Sequence, residues 1–298
     1  MRFELSCERE SMRITRIFLS LGVMLLVFWS LAPLVWVVIS SISPRVELYS
    51  IPPHWIPHNP TLANYETVLL SGATYRSAPV GSSTAQFFVR GLVNSIIIAL
   101  ATTAIVGILS TFAGYAFARL AFRGKGPLFL GMLMLLAIPL WSSLITLYSI
   151  FSTLGLLDTL AGLTIIYATY QVPLAVWLMR IFFERLPIEL DEAARVDGAS
   201  TLTVLTRVLF PIALPGLISV LIISFLTAWN NFLFPLIFSF TENSRPVTVV
   251  VSQFFGFEEV QFDYMSAAAV VAMVPPVVFT LFFQKYLVSG LSAGAVKG

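Results

Sequence analysis

Long apolar segments alternate with short polar ones along most of this chain. Six of the apolar segments reach the roughly 20 residues that a helix needs to cross a bilayer. The pattern predicts an all-α polytopic membrane protein with six transmembrane helices, at residues 17–40, 92–118, 127–150, 160–180, 214–238 and 265–286. The first segment is too long to be the apolar part of a signal peptide, so we expect it to be a retained anchor.

The overall composition independently indicates a membrane protein. Of the 298 residues, 58% are hydrophobic and 11% are charged, whereas a soluble domain carries about 25% charged residues. We therefore expect a single membrane domain over 1–298, in contact with lipid and without a soluble module. The one cysteine, Cys7, cannot form a disulfide within the chain.

Positive charge is distributed unevenly between the polar segments. With the N-terminus inside, most of the 17 lysines and arginines fall on the inner side, and the outer segments hold only Arg45, Arg76, Arg90 and Arg245. This asymmetry follows the positive-inside rule and predicts that both termini and the polar stretch 186–215 are cytoplasmic. The basic residues lack the interleaved aromatic residues of a nucleic-acid surface, so we expect no nucleic-acid partner.

The polar stretch 186–215 begins with the signals of a short helix. Pro187 suits the first turn of a helix, where no amide donor is needed. Negative charge follows at the positive end of the helix dipole, on Glu189, Asp191 and Glu192. Gly198 then predicts the end of this helix.

A second short helix is expected after that glycine. Ser200 or Thr201 can cap it, and we expect it to end before Phe210-Pro211, because the residue before a proline is biased away from helix. The pattern therefore predicts a helix–turn–helix that projects from the membrane.

The order of residues in this stretch is that of a known motif. Glu192-Ala193-Ala194 is followed by Asp197-Gly198-Ala199 and later by Pro211 and Pro215. This order resembles the EAA loop of ABC importer permeases, most of all that of the MalG-type sugar subgroup. The resemblance implies an ABC type-1 transmembrane fold with a core at 88–286 and a cytoplasmic coupling loop at 186–215.

The resemblance also assigns roles within the loop, which an ATPase subunit would grip. Glu192 would contact a basic residue of the ATPase, and Asp197 and Gly198 would set the turn. The small side chains would let the two surfaces approach closely, at Ala193, Ala194 and Ala199.

Further motifs extend the resemblance over about residues 60–298. They are Leu62-Ala63-Asn64-Tyr65, Asn94-Ser95, Ala113-Gly114-Tyr115-Ala116-Phe117-Ala118-Arg119, Leu154-Gly155-Leu156-Leu157-Asp158-Thr159, Trp229-Asn230-Asn231-Phe232 and the tail 290–298. This coverage favours a carbohydrate as the substrate, a di- or oligosaccharide. Another solute such as glycerol phosphate stays open, although a phosphorylated substrate would call for lysine or arginine in the pathway.

Residues for catalysis are not apparent. The chain has no Gly-rich phosphate loop followed by Lys-Ser/Thr, so it is not its own ATPase. The chain also lacks Ser-x-x-Lys, His-Glu-x-x-His and paired carboxylates within spans, which argues against a membrane enzyme. Few ionisable groups lie in the spans and no repeat is evident, which disfavours a stand-alone channel or secondary carrier.

Polar residues within two spans are candidates for the substrate path. Gln171 lies in the fourth predicted span, and the fifth contains Trp229, Asn230 and Asn231. A sugar needs hydrogen-bonding groups and an aromatic face, and these side chains supply both without a fixed charge. The alternative is that they bond neighbouring helices to one another, as amides in membranes commonly do.

The outer segments contain two further features of interest. The long first outer loop, 43–90, holds His54 and His58, but Pro57 disfavours a helix between them and two ligands do not make a site. We therefore expect no metal. A later outer loop contains Phe254, Phe255, Gly256 and Phe257, expected either to contact a substrate-binding protein or to anchor in the lipid interface.

The resemblance implies a four-part assembly around this non-catalytic chain. A second, MalF-like permease, two ABC ATPase subunits and an extracytoplasmic sugar-binding protein are the expected partners. ATP and Mg²⁺ would be bound by the ATPase subunits, so no cofactor is expected in this chain. The expected location is a bacterial or archaeal cytoplasmic (inner) membrane.

Overall fold

A computed structural model describes residues 2–52, 54–70, 85–255 and 260–292. These residues are helical with short connections, and the described part of the chain has no strand, only an antiparallel bridge between Phe255 and Val260. The α-helices are α1 Arg2–Ser41, α2 Arg45–Leu48, α3 Ala63–Leu70, α4 Phe88–Arg119, α5 Lys125–Met134, α6 Leu140–Thr153, α7 Leu160–Glu184, α8 Glu189–Val196, α9 Thr201–Thr203, α10 Phe210–Trp229, α11 Leu233–Phe238, α12 Val247–Ser252 and α13 Phe262–Ser292. Short 3₁₀ segments occupy Ala85–Phe87 and Leu135–Ala137, and a π-helical segment occupies Val204–Leu209.

The chain divides into two compact units, a division that the sequence analysis did not expect. The first comprises Met1–Ala85 with Phe254–Val271, and the second comprises Gln86–Gln253 with Ala272–Gly298. The first unit contains α1, α2, α3 and the beginning of α13. The second contains α4 to α12 and the remainder of α13.

Within the described ranges, five helices are long and apolar enough to cross a membrane. They are Phe18–Ser41, Phe88–Arg119, Leu160–Glu184, Thr201–Trp229 and Phe262–Lys285. A sixth span is present if the bent pair Lys125–Ala137 and Ser142–Thr153, which meet at 104°, is counted as one. The bend falls at Pro139, which makes Ile138 extended and so ends the first half.

The fifth span differs from its prediction at both ends. The structure continues from Thr201 through the π-helical segment into α10, so the expected short helix ending before Phe210-Pro211 is wrong. Pro211 stands in the first turn of α10, directly after the wide π turns, where its missing N–H does not end the helix. At the other end α10 stops at Trp229, and α11 follows as a separate short helix.

The core of the second unit is built by α4, α7 and α10. Gly114 on α4 lies so close to α7 that an added Cβ would be 2.6 Å from the Met179 Cβ and 3.0 Å from the Arg180 backbone nitrogen. A larger residue would therefore push the two helices apart. The buried side chains of the core that these three helices form include Val106, Ala168, Ala175, Met179, Phe183, Ala213, Leu217 and Val220.

In the first unit, the Leu62-Ala63-Asn64-Tyr65 motif holds the end of α1. The Asn64 side-chain amide donates to the carbonyls of Ser41 and Ser43, each at 3.0 Å. The Tyr65 hydroxyl lies 2.6 Å from the Ser41 hydroxyl. The two bonds from Asn64 satisfy backbone carbonyls at and just beyond the end of α1, where a helix leaves such groups without partners.

Candidate functional site

Helix α8 is the centre of the predicted coupling loop, and a backbone motif closes its C-terminal end. Its first turn carries the acidic residues expected from the sequence. At its C-terminus Gly198 has φ +83°, the Gly198 N–H donates to the Arg195 carbonyl, and the Ala199 N–H donates to the Ala194 carbonyl. This pair of bonds is a Schellman motif, which needs a residue in the left-handed conformation. Ser200 then caps the next helix by accepting the Thr203 N–H at 3.3 Å.

One face of α8 packs on the helical core of its own chain. Ala194 and Ala199 are half-buried, and with Leu186 and Leu190 they pack against the buried core cluster. Ala194 and Ala199 therefore attach the loop to the chain's own helical core, whereas the sequence predicts that they lie at the surface that meets a partner.

A buried ion pair joins α8 to the C-terminal end of α4. The Arg119 Nε lies 3.3 Å from the Asp191 Oδ2, and the two side chains are only 9% and 7% exposed. The Arg119 Nη2 also donates to the Leu186 carbonyl at 2.5 Å. Nearby, the Tyr115 ring packs edge-on against Phe183, with centroids 5.8 Å apart. A displacement of α8 is therefore tied directly to a membrane-spanning helix.

Sequence reasoning did not find this ion pair as a functional feature. Asp191 was assigned only a dipole role, and Arg119 appeared only as the last residue of a resemblance motif. The sequence offered two separate signals, an arginine that closes an apolar span and, much later in the chain, a short helix with three acidic residues in its first turn.

The opposite face of α8 is exposed and combines acidic with apolar groups. Glu192, Ala193, Asp197 and Gly198 are exposed, so these predicted coupling residues lie at the surface. Ile188 and Val196 lie four residues before and after Glu192, on the same side of the helix, and both are exposed, Val196 to 87%; Leu202 of α9 is also exposed. An apolar patch around a carboxylate has the composition of a protein-contact surface.

The polar residues predicted to line a substrate path do not lie together in the structure. Gln171 on α7 lines a cavity of about 200 Å³, and its Oε1 accepts a hydrogen bond from the Ser224 hydroxyl of α10 at 2.6 Å. Tyr170 and Thr227 line the same cavity. Sequence reasoning identified Gln171 but missed the other three, which only the packing of α7 against α10 brings together.

Trp229, Asn230 and Asn231 lie elsewhere and do not line that cavity. Trp229 is buried and its ring is stacked on Phe225, with centroids 5.8 Å apart, so it does not offer a free aromatic face. The Asn231 side chain accepts the Phe234 N–H at 3.2 Å and thereby caps α11. Asn230 is exposed at the end of α10.

On the side opposite α8, Asp158 holds the connection between α11 and α12. Its carboxylate accepts the N–H groups of Phe240 and Thr241, at 2.8 and 2.9 Å, and the hydroxyls of Thr241 and Ser244, both at 2.6 Å. Burial would raise the pKa of Asp158, but the hydrogen bonds from Ser244 and Thr241 outweigh it and leave this pKa below its ordinary value. The carboxylate is therefore held ionised.

The phenylalanine loop is only partly as expected. Phe254 is 1% exposed, which contradicts the expectation of an exposed ring, while Phe255 is 65% exposed. Burial of a phenylalanine ring is worth about 1.5–3 kcal/mol, which favours packing Phe254 inside. Gly256 and Phe257 lie outside the described residues, so their predicted contact role stays a prediction.

Known proteins resemble this chain over nearly its whole length. It is 34% identical over 284 residues to the trehalose/maltose transport system permease protein MalG of Thermococcus litoralis, covering 95% of this chain and 97% of the relative. It is 35% identical to the trehalose transport system permease protein SugB of Mycobacterium tuberculosis, covering 92% and 95%.

A solved structure shares the fold. A bacterial ABC transporter involved in the import of the acidic polysaccharide alginate matches with a TM-score of 0.78 at 20% identity, covering 92% of this chain and 97% of that one. The profile of the family described as "Binding-protein-dependent transport system inner membrane component" matches residues 127–293. Together with the two sugar permeases, this match shows that the chain belongs to that family, the membrane permeases of ABC importers.

Proposed function

We propose that this chain is one permease subunit of an ATP-driven importer for a di- or oligosaccharide. It would form the translocation path with a second permease, receive the sugar from an extracytoplasmic binding protein, and be driven by two ABC ATPase subunits. The observation that carries the proposal is the α8 surface, which exposes Glu192 within an apolar patch on a helix tied to the core by the Arg119–Asp191 pair.

The attachments of α8 suggest how ATP hydrolysis would drive transport. Closure of the ATPase subunits would move α8, and a buried ion pair and apolar packing would pass this movement to α4 and α7. The spans would then alternate between inward-facing and outward-facing arrangements around the substrate path. ATP and Mg²⁺ would stay on the ATPase subunits, and this chain would contribute no catalytic group.

The cavity between α7 and α10 is lined mostly by apolar residues, and its few polar groups support a sugar over a phosphorylated solute. Its lining offers an amide and hydroxyl groups, from Gln171, Ser224, Tyr170 and Thr227, and the lining residues include no lysine or arginine. Uncharged hydrogen-bonding groups suit sugar hydroxyls, whereas glycerol phosphate would need a cation. The names of the two relatives, trehalose/maltose and trehalose permeases, agree with this preference.

The membrane orientation is also part of the proposal. Both termini and α8 would face the cytoplasm. The connection between α11 and α12 that Asp158 holds, and Phe255, would face the side of the binding protein. The asymmetric distribution of lysine and arginine supports this orientation.

The decisive experiment is transport by the assembled complex in proteoliposomes. Labelled trehalose and maltose, with glycerol 3-phosphate as a comparison, would be supplied with the binding protein outside and MgATP inside. We expect sugar uptake that requires both ATP and the binding protein. Uptake without ATP would indicate a channel or carrier, and ATP-dependent uptake of glycerol phosphate alone would overturn the sugar assignment.

A variant of the cavity makes the test specific to this chain. Gln171→Leu should lower sugar uptake, because the leucine cannot hydrogen-bond to a hydroxyl, while the ATPase subunits stay bound. Thr153→Val is a suitable control, since Thr153 is exposed at the end of α6 and its hydroxyl donates to the Ser149 carbonyl. Equal uptake by both variants would remove Gln171 from the path.

A further inference from the structure

The first outer loop brings three metal-ligating side chains together, a feature that the transport function does not use. Glu47, His54 and His58 each place a ligand atom within 4.8 Å of the other two. The sequence alone predicts no metal here, because two histidines by themselves do not make a site. The third group comes from α2, several residues earlier, and only the fold of the loop brings it near.

The carboxylate of Glu47 is held in place by the backbone of the loop that carries the histidines. Its Oε2 accepts the His58 N–H at 2.7 Å, and its Oε1 accepts the Asn59 N–H at 3.2 Å. The same Oε2 lies 3.7 Å from the His58 Nδ1. The carboxylate and this imidazole therefore already face each other.

The second imidazole is oriented by Ser50. The Ser50 hydroxyl lies 3.4 Å from the His54 Nδ1 and also 2.8 and 3.0 Å from the carbonyls of Glu47 and Pro52. Since the hydroxyl proton goes to a carbonyl, its oxygen can accept the N–H of Nδ1. That bond leaves Nε2 with its lone pair, and metal-binding histidines are commonly fixed by such an outer hydrogen bond.

We propose that Glu47, His54 and His58 bind a zinc ion on the outer loop. Two imidazoles and one carboxylate are a known zinc ligand set, with a fourth position left for water. Ligand atoms about 2.0–2.1 Å from zinc lie about 3.3 Å from one another, so the present spacing needs to close by at most about 1.5 Å. The exposed ring of His58, 68% accessible, can make that movement.

The bound ion would join α2 to the loop around residue 58. Residues 54–60 have no helix of their own, and hydrogen bonds to Glu47 connect them to α2. A zinc ion would add coordinate bonds to both histidines and so fix this part of the outer loop.

The test is zinc binding by the full-length chain, purified without a polyhistidine tag. The chain has only two histidines, so imidazole coordination in a zinc X-ray absorption spectrum, or tetrahedral cobalt bands after Co²⁺ substitution, reports on this site. We expect one equivalent of Zn²⁺ for the wild type. His54→Asn and His58→Asn should each weaken binding by more than about 100-fold, and Ser50→Ala by roughly 10–100-fold.

Two comparisons keep the test independent of folding. Glu66→Gln changes an exposed glutamate of the same unit and should bind zinc like the wild type. Because His58 is exposed, His58→Asn should keep the thermal unfolding temperature of the metal-free protein. No zinc binding by the wild type, or unchanged affinity in both histidine variants, would overturn the site.

Discussion

The ion pair between Arg119 and Asp191 gives the sharpest test of how α8 is attached. Asp191→Asn removes the negative charge but keeps the shape of the side chain, so Arg119 remains buried without its ionic partner. Removing one member of a buried pair costs about 3–5 kcal/mol. The Arg119 bond to the Leu186 carbonyl survives, so we take the lower value, about 3 kcal/mol. That corresponds to a roughly 100-fold shift towards detached α8.

The assay is the ratio of sugar imported to ATP hydrolysed in proteoliposomes. The exposed face of α8 is unchanged in Asp191→Asn, so the ATPase subunits should still co-purify with the permease. Because α8 would no longer move α4, we expect ATP hydrolysis to continue while uptake falls about tenfold or more. The double variant Arg119→Met with Asp191→Leu should regain part of the coupling, since well-packed apolar residues can replace a buried ion pair.

A second ion pair in the same unit serves as the matched control. Arg180 and Glu184 are 2.7 Å apart at the end of α7, but they are 28% and 43% exposed and one helical turn apart. Glu184→Gln should cost only about 0.3–0.5 kcal/mol and leave coupling unchanged. If Asp191→Asn and Glu184→Gln show the same import per ATP and the same unfolding temperature, the buried pair does not hold α8.

The remaining predictions concern four other positions. Glu192→Lys should abolish co-purification of the ATPase subunits, whereas Glu66→Lys, the same charge change in the outer loop, should not; retention of the ATPase by Glu192→Lys would remove Glu192 from the contact. Gly198→Val should lower uptake more than Gly198→Asn, because valine tolerates the left-handed φ of +83° less well than asparagine, and an added Cβ has no atom within 4 Å to clash with. The strain is about 1–2 kcal/mol. Equal uptake by the two variants would show that the Schellman turn is dispensable. Phe255→Ser should reduce ATPase stimulation by the loaded binding protein without changing basal hydrolysis, and unchanged stimulation would leave the lipid-anchoring alternative. The pKa of Asp158 is lowered in the folded protein, so its carboxylate stabilises the fold at pH values above its ordinary pKa of 3.8, and this stabilisation is lost as the pH falls through the lower folded pKa. Asp158→Asn should therefore flatten the fall of the unfolding temperature below about pH 4. An unchanged slope of unfolding temperature against pH would contradict this.

Much of the membrane architecture was predictable because long apolar runs dominate it. The second and fourth predicted spans correspond to α4 and α7, which extend a few residues further into polar sequence. Single prolines were harder to interpret. The residue before a proline is biased away from helix. This rule holds at Pro139, where the span is bent, but not at Pro211, where the helix continues. Before Pro211, the π-helical segment is held by burial of Val204, Leu205 and Leu209 in the core. A rule based on neighbouring residues cannot take such burial into account.

In the candidate site too, features set by neighbouring residues were predictable from the sequence, and features set by contacts between distant residues were not. The end of α8 at Gly198 was predictable, because a glycine after an amphipathic helix is a local signal. The Arg119–Asp191 pair, the Gln171–Ser224 bond and the Glu47 contact with His58 join residues on separate elements, so only the fold reveals them. Phe254 and Phe255 are adjacent and chemically identical, and packing alone decides that one is buried and the other exposed.

Two of the sequence motifs named above, Asn94-Ser95 and the segment ending at Arg119, lie at the two ends of α4, and their polar side chains bind other elements there. At its N-terminal end, the Asn94 amide donates to the carbonyls of Glu242 and Arg245, and Ser95 accepts the Val247 N–H. At its C-terminal end, Arg119 holds α8. Such bonds satisfy backbone groups that lie close to the apolar part of a bilayer.

These attachments make α4 the element that connects the two sides of the second unit. A helix of 32 residues is about 48 Å long, and Gly114 fixes it closely against α7 in between. In the proposed mechanism, movement of α8 would reach the connection between α11 and α12 through this one helix. The same connection is held from the other side by Asp158 at the start of α7. Under the proposed function, one helix with polar contacts at both ends would pass a displacement of α8 to the connection between α11 and α12 without any catalytic residue in this chain.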